Sequence, residues 1–163
     1  MNPSQSVTEL TNELQQLKSL IEIKDYENCL QRGLGLLECF HGSPLVHYAI
    51  AVCLFETNRV SDATTHLEIA AAGFKLSNKS EIEELGQLTA IAGLLARTGY
   101  FAHVIPMIKN NLKSIKWPKD SIFFLTEIVN ICTTAESSET GLILLEHAFN
   151  TYVDSELFTD YLL

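Results

Sequence analysis

Residues 45–73 read LVHYAIAVCLFETNRVSDATTHLEIAAAG, and the fold turns on this stretch. His47, Ile50, Ala51 and Leu54 recur at the spacing that lines one face of a helix, which runs through Phe55 or Glu56. Thr57 and Asn58 interrupt the apolar pattern and supply a short turn. Ser61 or Asp62 is then the expected N-cap of a second helix, because a side-chain oxygen there can accept a hydrogen bond from an otherwise unpaired amide. That helix carries Ala63, Leu67 and Ala70 on one stripe, with Gly73 as its expected C-cap. Small residues at Ala51, Ala63 and Ala70 let the two backbones approach, and Ile50, Leu54 and Leu67 fill the space around them. The stretch reads as one antiparallel helix pair.

Towards the N-terminus, residues 1–7 are polar and expected to fray, and Thr8 or Thr11 can open a helix carrying Leu10, Leu14, Leu17, Leu20 and Ile21. KDYE at 24–27 turns the chain into a second helix through Cys29, Leu30, Leu34 and Leu37. Gly33 and Gly35 each weaken helix propensity by up to ~1 kcal/mol relative to Ala, so a continuous helix there requires close packing or a local bend. His41, Gly42, Ser43 and Pro44 end the unit. Tyr26 and Val60 hold equivalent places, 34 residues apart.

Towards the C-terminus, KLSNKS at 75–80 is a polar connector, and Glu81, Glu83 and Glu84 favour a helix start through the local dipole. Leu85, Leu88, Ile91, Ala92 and Leu95 continue on a helical stripe. Thr98, Gly99 and Tyr100 turn the chain into a helix with Val104, Ile108 and Leu112, and Pro106 is expected in its first turn, where a missing amide costs least. KWPKD at 116–120 is a strong break, after which Asp120 or Ser121 can cap a helix striped by Ile122, Leu125, Ile128, Val129 and Cys132. Residues 133–139 turn again, and Gly141, Leu145 and Ala148 repeat the small, large, small series. Phe101 and Ser138 answer Val60 at further spacings of 41 and 37 residues. Asp154 or Ser155 can start one more helix ending at Tyr161, Leu162 and Leu163, an apolar finish that fits a docked terminal helix or a longer chain.

Composition bounds the function. The 163 residues suit one domain, and 47% apolar against 19% charged residues argues for a folded chain rather than a disordered one. With 11 Lys plus Arg against 20 Asp plus Glu, the formal charge is −9, so nucleic acid and anionic membrane are poor partners and a basic or apolar peptide fits better. The start MNPSQSVTEL has no secretory pattern, and the apolar run 40–55 contains Pro44 and two histidines and falls short of the ~20 residues that span a bilayer. No membrane insertion and a cytoplasmic location are expected. Cys29, Cys39, Cys53 and Cys132 form no CxxC pair and read as buried thiols, and the five histidines form no metal-ligand arrangement. No cofactor or metal is expected.

The 45–73 series His47, Ile50, Ala51, Leu54, Ala63, Leu67 and Ala70 resembles a tetratricopeptide repeat, a helix pair with large and small residues in that order. Leu17, Leu20, Tyr26, Cys29 and Leu36 match the same positions in the preceding unit. His47 and Leu54 replace the family's usual aromatics, Lys75 stands where its terminal proline is common, Gly33 replaces a larger residue and Leu36 a small one. The resemblance covers residues 10–153 and implies an all-α, right-handed α-solenoid of about four antiparallel helix hairpins, with approximate repeats 8–43, 44–75, 81–116 and 120–153 in a single domain and room for a terminal helix at 154–163. A non-repeat helical bundle is the structural alternative.

In that family the first helix of each pair lines the concave side. The resemblance therefore assigns partner contacts to Leu14 and Lys18, to Tyr48, Val52 and Phe55, to Thr89 and Gly93, and to Phe123, Thr126 and Asn130. The family's clamp for acidic chaperone tails needs Lys, Asn and Arg where this chain has Leu14, Lys18, Ala49, Gly86 and Ala90, so no carboxylate clamp is expected. The leading functional expectation is a non-enzymatic protein-protein interaction module, a scaffold, adaptor or small chaperone binding a peptide or helix in a largely apolar groove, with homo-oligomers compatible. The alternatives are an N-terminal regulatory or substrate-recruiting segment of a larger enzyme and, last, a helical small-ligand binder or enzyme. Tyr48 and Phe55 can equally be packing residues, and Trp117 can dock over a helix end.

Overall fold

In the computed structural model, which describes residues 3–77, 82–117 and 121–153, eight α-helices carry the chain and no strand occurs among the described residues. They are α1 (Pro3–Glu22), α2 (Tyr26–Phe40), α3 (Pro44–Glu56), α4 (Val60–Gly73), α5 (Ile82–Arg97), α6 (Phe101–Asn111), α7 (Ile122–Thr134) and α8 (Ser138–Val153), with a 3-10 turn at Leu112–Ser114 after α6. The expected all-α class is observed. The chain divides into two compact units, Met1–Phe74 and Lys75–Leu163.

One turn recurs four times. Lys24, Asn58, Gly99 and Glu136 all have positive φ, between 55° and 79°, and each stands two residues before an even-numbered helix. In every case the amide of that residue donates to the carbonyl three residues back, and the next amide donates to the carbonyl five residues before it. For Asn58 and Arg59 the acceptors are Phe55 at 3.0 Å and Leu54 at 2.8 Å, and for Glu136 and Ser137 they are Thr133 at 3.1 Å and Cys132 at 2.9 Å. This left-handed cap satisfies carbonyls that a helix end leaves unpaired and reverses the chain within three residues. The resulting pairs α1–α2, α3–α4, α5–α6 and α7–α8 each pack as a hairpin.

In the first unit α1 packs on α2 and α3, α2 on α3, and α3 on α4. With three neighbours, α3 buries Val46, His47, Ala49, Ile50, Ala51, Cys53 and Leu54, so its apolar residues run nearly all round it. Pro44 takes the first helical position, where its missing amide has no partner to lose. Gly33 explains how α2 stays helical across two glycines: a Cβ at Gly33 would stand 2.8 Å from Ile50 Cγ1, so the glycine permits a close approach of α2 to α3. The six core residues expected in the central pair, Ile50, Ala51, Leu54, Ala63, Leu67 and Ala70, are all buried.

Three expected caps fall elsewhere. The recurring turn ends at Arg59, which becomes the N-cap position of α4, so Ser61 and Asp62 lie inside its first turn. There Asp62 pairs with Arg59 at 2.7 Å and complements the helix dipole. Gly73 is the last helical residue, with extended Phe74 as the C-cap. Thr8 and Thr11 lie within α1, which begins at Pro3, and Thr11 Oγ1 donates back to the Val7 carbonyl.

In the second unit α5 packs on α6 and α7, and α7 on α8. Asn111, almost wholly buried, ties the connector to the end of α6: its Oδ1 accepts from the Leu76 amide at 2.7 Å and its Nδ2 donates to the Met107 carbonyl at 2.9 Å. Pro106 is the sixth residue of α6 rather than a member of its first turn. It is exposed, so the carbonyl that loses its helical partner can be met by water. Ser121 takes the N-cap position of α7, whereas Ile122 is 60% exposed and leaves the core to Leu125, Ile128, Ile131 and Cys132. In α8 the core residue between Gly141 and Ala148 is Leu144, wholly buried, and Leu145 is 44% exposed. Leu144 follows Gly141 by three residues and precedes Ala148 by four, an equally helical spacing that periodicity does not distinguish from the reverse. Glu81, Asp120, residues 78–80 of the connector and the expected terminal helix at 154–163 lie outside the described residues.

Candidate functional site

The residues assigned to partner contact fall into two groups, one in each unit. In the first unit α1 and α3 are neighbours. Leu14 and Lys18 lie one turn apart on α1, Lys18 exposed and Leu14 packed against the core formed by Leu17, Cys29, Ala49 and Cys53. Tyr48, Val52 and Phe55 follow one another at four- and three-residue steps along α3, and all three are half-buried. They therefore contribute to packing and to surface at once.

In the second unit α5 and α7 are neighbours. Thr89 is half-buried and its hydroxyl donates to the Leu85 carbonyl one turn back, which occupies its proton within its own helix. Thr126 does the same to Ile122, although it is exposed. Asn130 is exposed and its backbone carbonyl accepts from Thr134 Oγ1. Gly93 has open space where a Cβ would stand. Phe123 is 64% exposed, with its ring edge-on to Phe124 at 5.7 Å between centroids. Phe124 in turn lies over Gly86, 3.5 Å from where a Cβ would be. Gly86 is half-buried beneath Phe124, and Ala49 is buried.

More apolar surface emerges than the sequence suggests. Leu142, Leu145 and Phe149 are 66%, 44% and 56% exposed on α8 at helical spacing; among the described residues of this hairpin Ile122 and Phe123 on α7 are further large exposed apolar side chains, with Ile143 of α8 less so. Periodicity alone marks such a stripe as core, because it records that a face is apolar and not whether a neighbour covers it.

The cysteines divide three to one. Cys29, Cys53 and Cys132 are buried, but Cys39 is exposed, because α2 is covered only on the sides that meet α1 and α3. A thiol hydrogen bond between Cys29 and Cys53, together with burial, raises the Cys53 thiol, and burial pushes Cys132 up to about 11. Neither is set up as a thiolate nucleophile. Among the described residues no group of three or more His, Cys, Asp or Glu side chains could hold a metal ion, and no helix is long and apolar enough to cross a membrane. An open cleft of about 340 Å³ between α1 and α2 is lined by Leu20, Asn28, Gln31 and Arg32.

Three histidine side chains, His47, His66 and His147, have hydrogen-bond partners within the fold. Trp117 is buried, as expected of a docking residue, and its indole N–H donates to His147 Nδ1 of α8 at 3.1 Å. His47, 5% exposed, occupies the interhelical position read from the sequence, with Nδ1 2.8 Å from His66 Nδ1 on α4 and Nε2 3.0 Å from the His41 carbonyl. His66 was absent from the sequence reading. The available signal was His47 itself, since a polar ring on a core stripe requires a partner. Burial, then the neighbouring His47 charge, hold His66 below the ordinary histidine value near 6.5, with Asp62 opposing. Comparison of the chain with protein-family models, with curated proteins and with solved structures returned no match in any of the three.

Proposed function

We propose that this chain is a non-enzymatic protein-interaction module of tetratricopeptide-like build, a right-handed solenoid of four hairpins that receives a peptide or helix along the outer faces of its first helices. The build is supported by one turn recurring at 24, 58, 99 and 136, which repeats the 34, 41 and 37 spacings of the sequence, and by the pairing of first helices, α1 with α3 and α5 with α7. The observation that carries the interaction reading is Phe123, a phenylalanine 64% exposed on a first helix at a position that the repeat resemblance assigns to ligand contact. Burying such a ring is worth about 1.5–3 kcal/mol, a gain left for a partner to supply. The net charge of −9 favours a partner segment that is basic as well as apolar.

The test is selection from a displayed library of unbiased peptides, followed by affinity measurement of the retained peptides on variants. Phe123→Ala should weaken binding by about tenfold or more, equivalent to ~1.4 kcal/mol, with unchanged helicity. Phe55→Ala should act in the same direction. Full affinity in both variants would remove the first helices from the interface, and loss of helicity in Phe55→Ala would make that residue packing only.

A further inference from the structure

The two imidazoles that join α3 to α4 have their proton positions dictated by their partners. A carbonyl oxygen only accepts, so His47 must carry a proton on Nε2 to bond His41 at 3.0 Å. In a neutral His47 the other nitrogen, Nδ1, is then a lone pair, and the 2.8 Å contact requires His66 to donate from its own Nδ1. His66 Nε2 is left as the site where the pair takes its first proton. That proton leaves the contact intact, because an imidazolium at position 66 still donates from Nδ1 to His47. If the shared proton moves across, a charged His47 donates instead to a neutral His66. The second proton is different: both Nδ1 atoms become N–H donors, 2.8 Å apart, with no lone pair between them and two positive rings at 5.1 Å.

We propose that His47 and His66 form a proton-counting latch between α3 and α4, closed with no proton or one beyond the neutral pair and opened by the second. This goes beyond the interaction reading and does not depend on it. At His66, burial and the His47 charge outweigh the opposing carboxylate of Asp62. Asp62, the acidic group that acts on His66, is already held by Arg59 at 2.7 Å. On α4, Glu68 is half-buried two residues further on, and on α3 Glu56 is exposed. From the helices packed on the other side of α3, Glu13 of α1 and Arg32 of α2 are joined to each other at 2.7 Å, and Lys18, Glu22 and Glu38 are exposed. The depressed His66 gives the sign. Unfolded His66 takes up its proton from about 6.5 downward, ahead of folded His66, so the stability this group contributes is complete above that value and falls as acid is added.

The experiment uses the full chain and two independent readouts. Nitrogen NMR of the imidazoles at about pH 7.5 reports the tautomers directly, at the upper side of the range in which histidine changes charge. The expected result is His47 protonated on Nε2 and His66 on Nδ1, and the opposite assignment overturns the proposal. Amide exchange is then compared between about pH 7.5 and about pH 5, corrected for intrinsic rates, in the wild type and in His66→Asn. The Asn side-chain amide can donate to a neutral His47 or, when flipped, accept from a charged one, so it holds the contact without titrating. The wild type should lose about tenfold or more in protection of α3 and α4 on acidification, one pKa unit being worth tenfold, and His66→Asn should lose less than about twofold. Equal losses in both proteins overturn the latch and assign the acid response to other groups.

Discussion

The central helix of the first unit and the final described helix of the second unit are both rich in apolar residues, yet they are used differently. α3 has neighbours in α1, α2 and α4 and buries seven of its thirteen residues. α8 packs on α7, burying Gly141, Leu144 and Ala148, while Leu142, Leu145 and Phe149 remain exposed. An apolar stripe thus acquires its meaning from the helices beside it. The same chemistry is a core in one place and an exposed stripe in the other.

The largest way to break that contrast is to truncate one leucine in each helix. Leu54→Ala removes a side chain 3% exposed and should destabilise the protein by about 2–5 kcal/mol in denaturant unfolding, through lost transfer energy plus the cavity left behind. Leu142→Ala, at 66% exposure, should stay within about 0.5 kcal/mol of the wild type. Comparable costs would mean that the α8 stripe is covered in solution.

A smaller contrast lies within α2. A methyl group at Gly33 meets the buried, β-branched Ile50 at 2.8 Å, whereas nothing lies within 4 Å of one at Gly35. Gly33→Ala should therefore destabilise the chain by about 1–2 kcal/mol, overpacking outweighing the propensity gain. Gly35→Ala should stabilise it by roughly 0.5–1 kcal/mol. The two thermal midpoints should move in opposite directions, and a common direction would refute the close approach of α2 to α3.

The smallest effect sharpens the equivalence of the turns. Glu136 holds φ 55° where Gly99 holds φ 79° in the corresponding turn. Left-handed backbone costs a side-chain-bearing residue roughly 1–2 kcal/mol, so Glu136→Gly should raise the melting temperature slightly and Gly99→Ala should lower it. Insensitivity at both positions would argue that the four turns are not one motif.

Much of this architecture could be read from the chain because the signals were local or regular. The six core residues of 45–73 and the 34-, 41- and 37-residue spacings linking Tyr26, Val60, Phe101 and Ser138 were legible as periodicity and turn residues, although α7 reaches Thr134 and α8 begins at Ser138, inside the turn expected at 133–139. What escaped depends on context. The cap of α4 moved because the left-handed turn at Asn58 had already reversed the chain, which overrode the preference of Ser61 and Asp62 for the N-cap. Pro106 survives inside α6 because its side of the helix is exposed. His66 needed a partner 19 residues away that no local pattern names. The surface was harder still. The position of Phe123 was assigned by resemblance, while the exposure of Leu142, Leu145 and Phe149 depends on how the helices pack around them rather than on local pattern.

The central claim, that the outer faces of the first helices receive a polypeptide partner, is tested most directly by hydrogen-exchange mapping of the chain with and without a selected peptide. The account predicts new protection along α3 and α7, around Tyr48 to Phe55 and Phe123 to Asn130. Protection confined to α8, or to α2, α4 and α6, would contradict it.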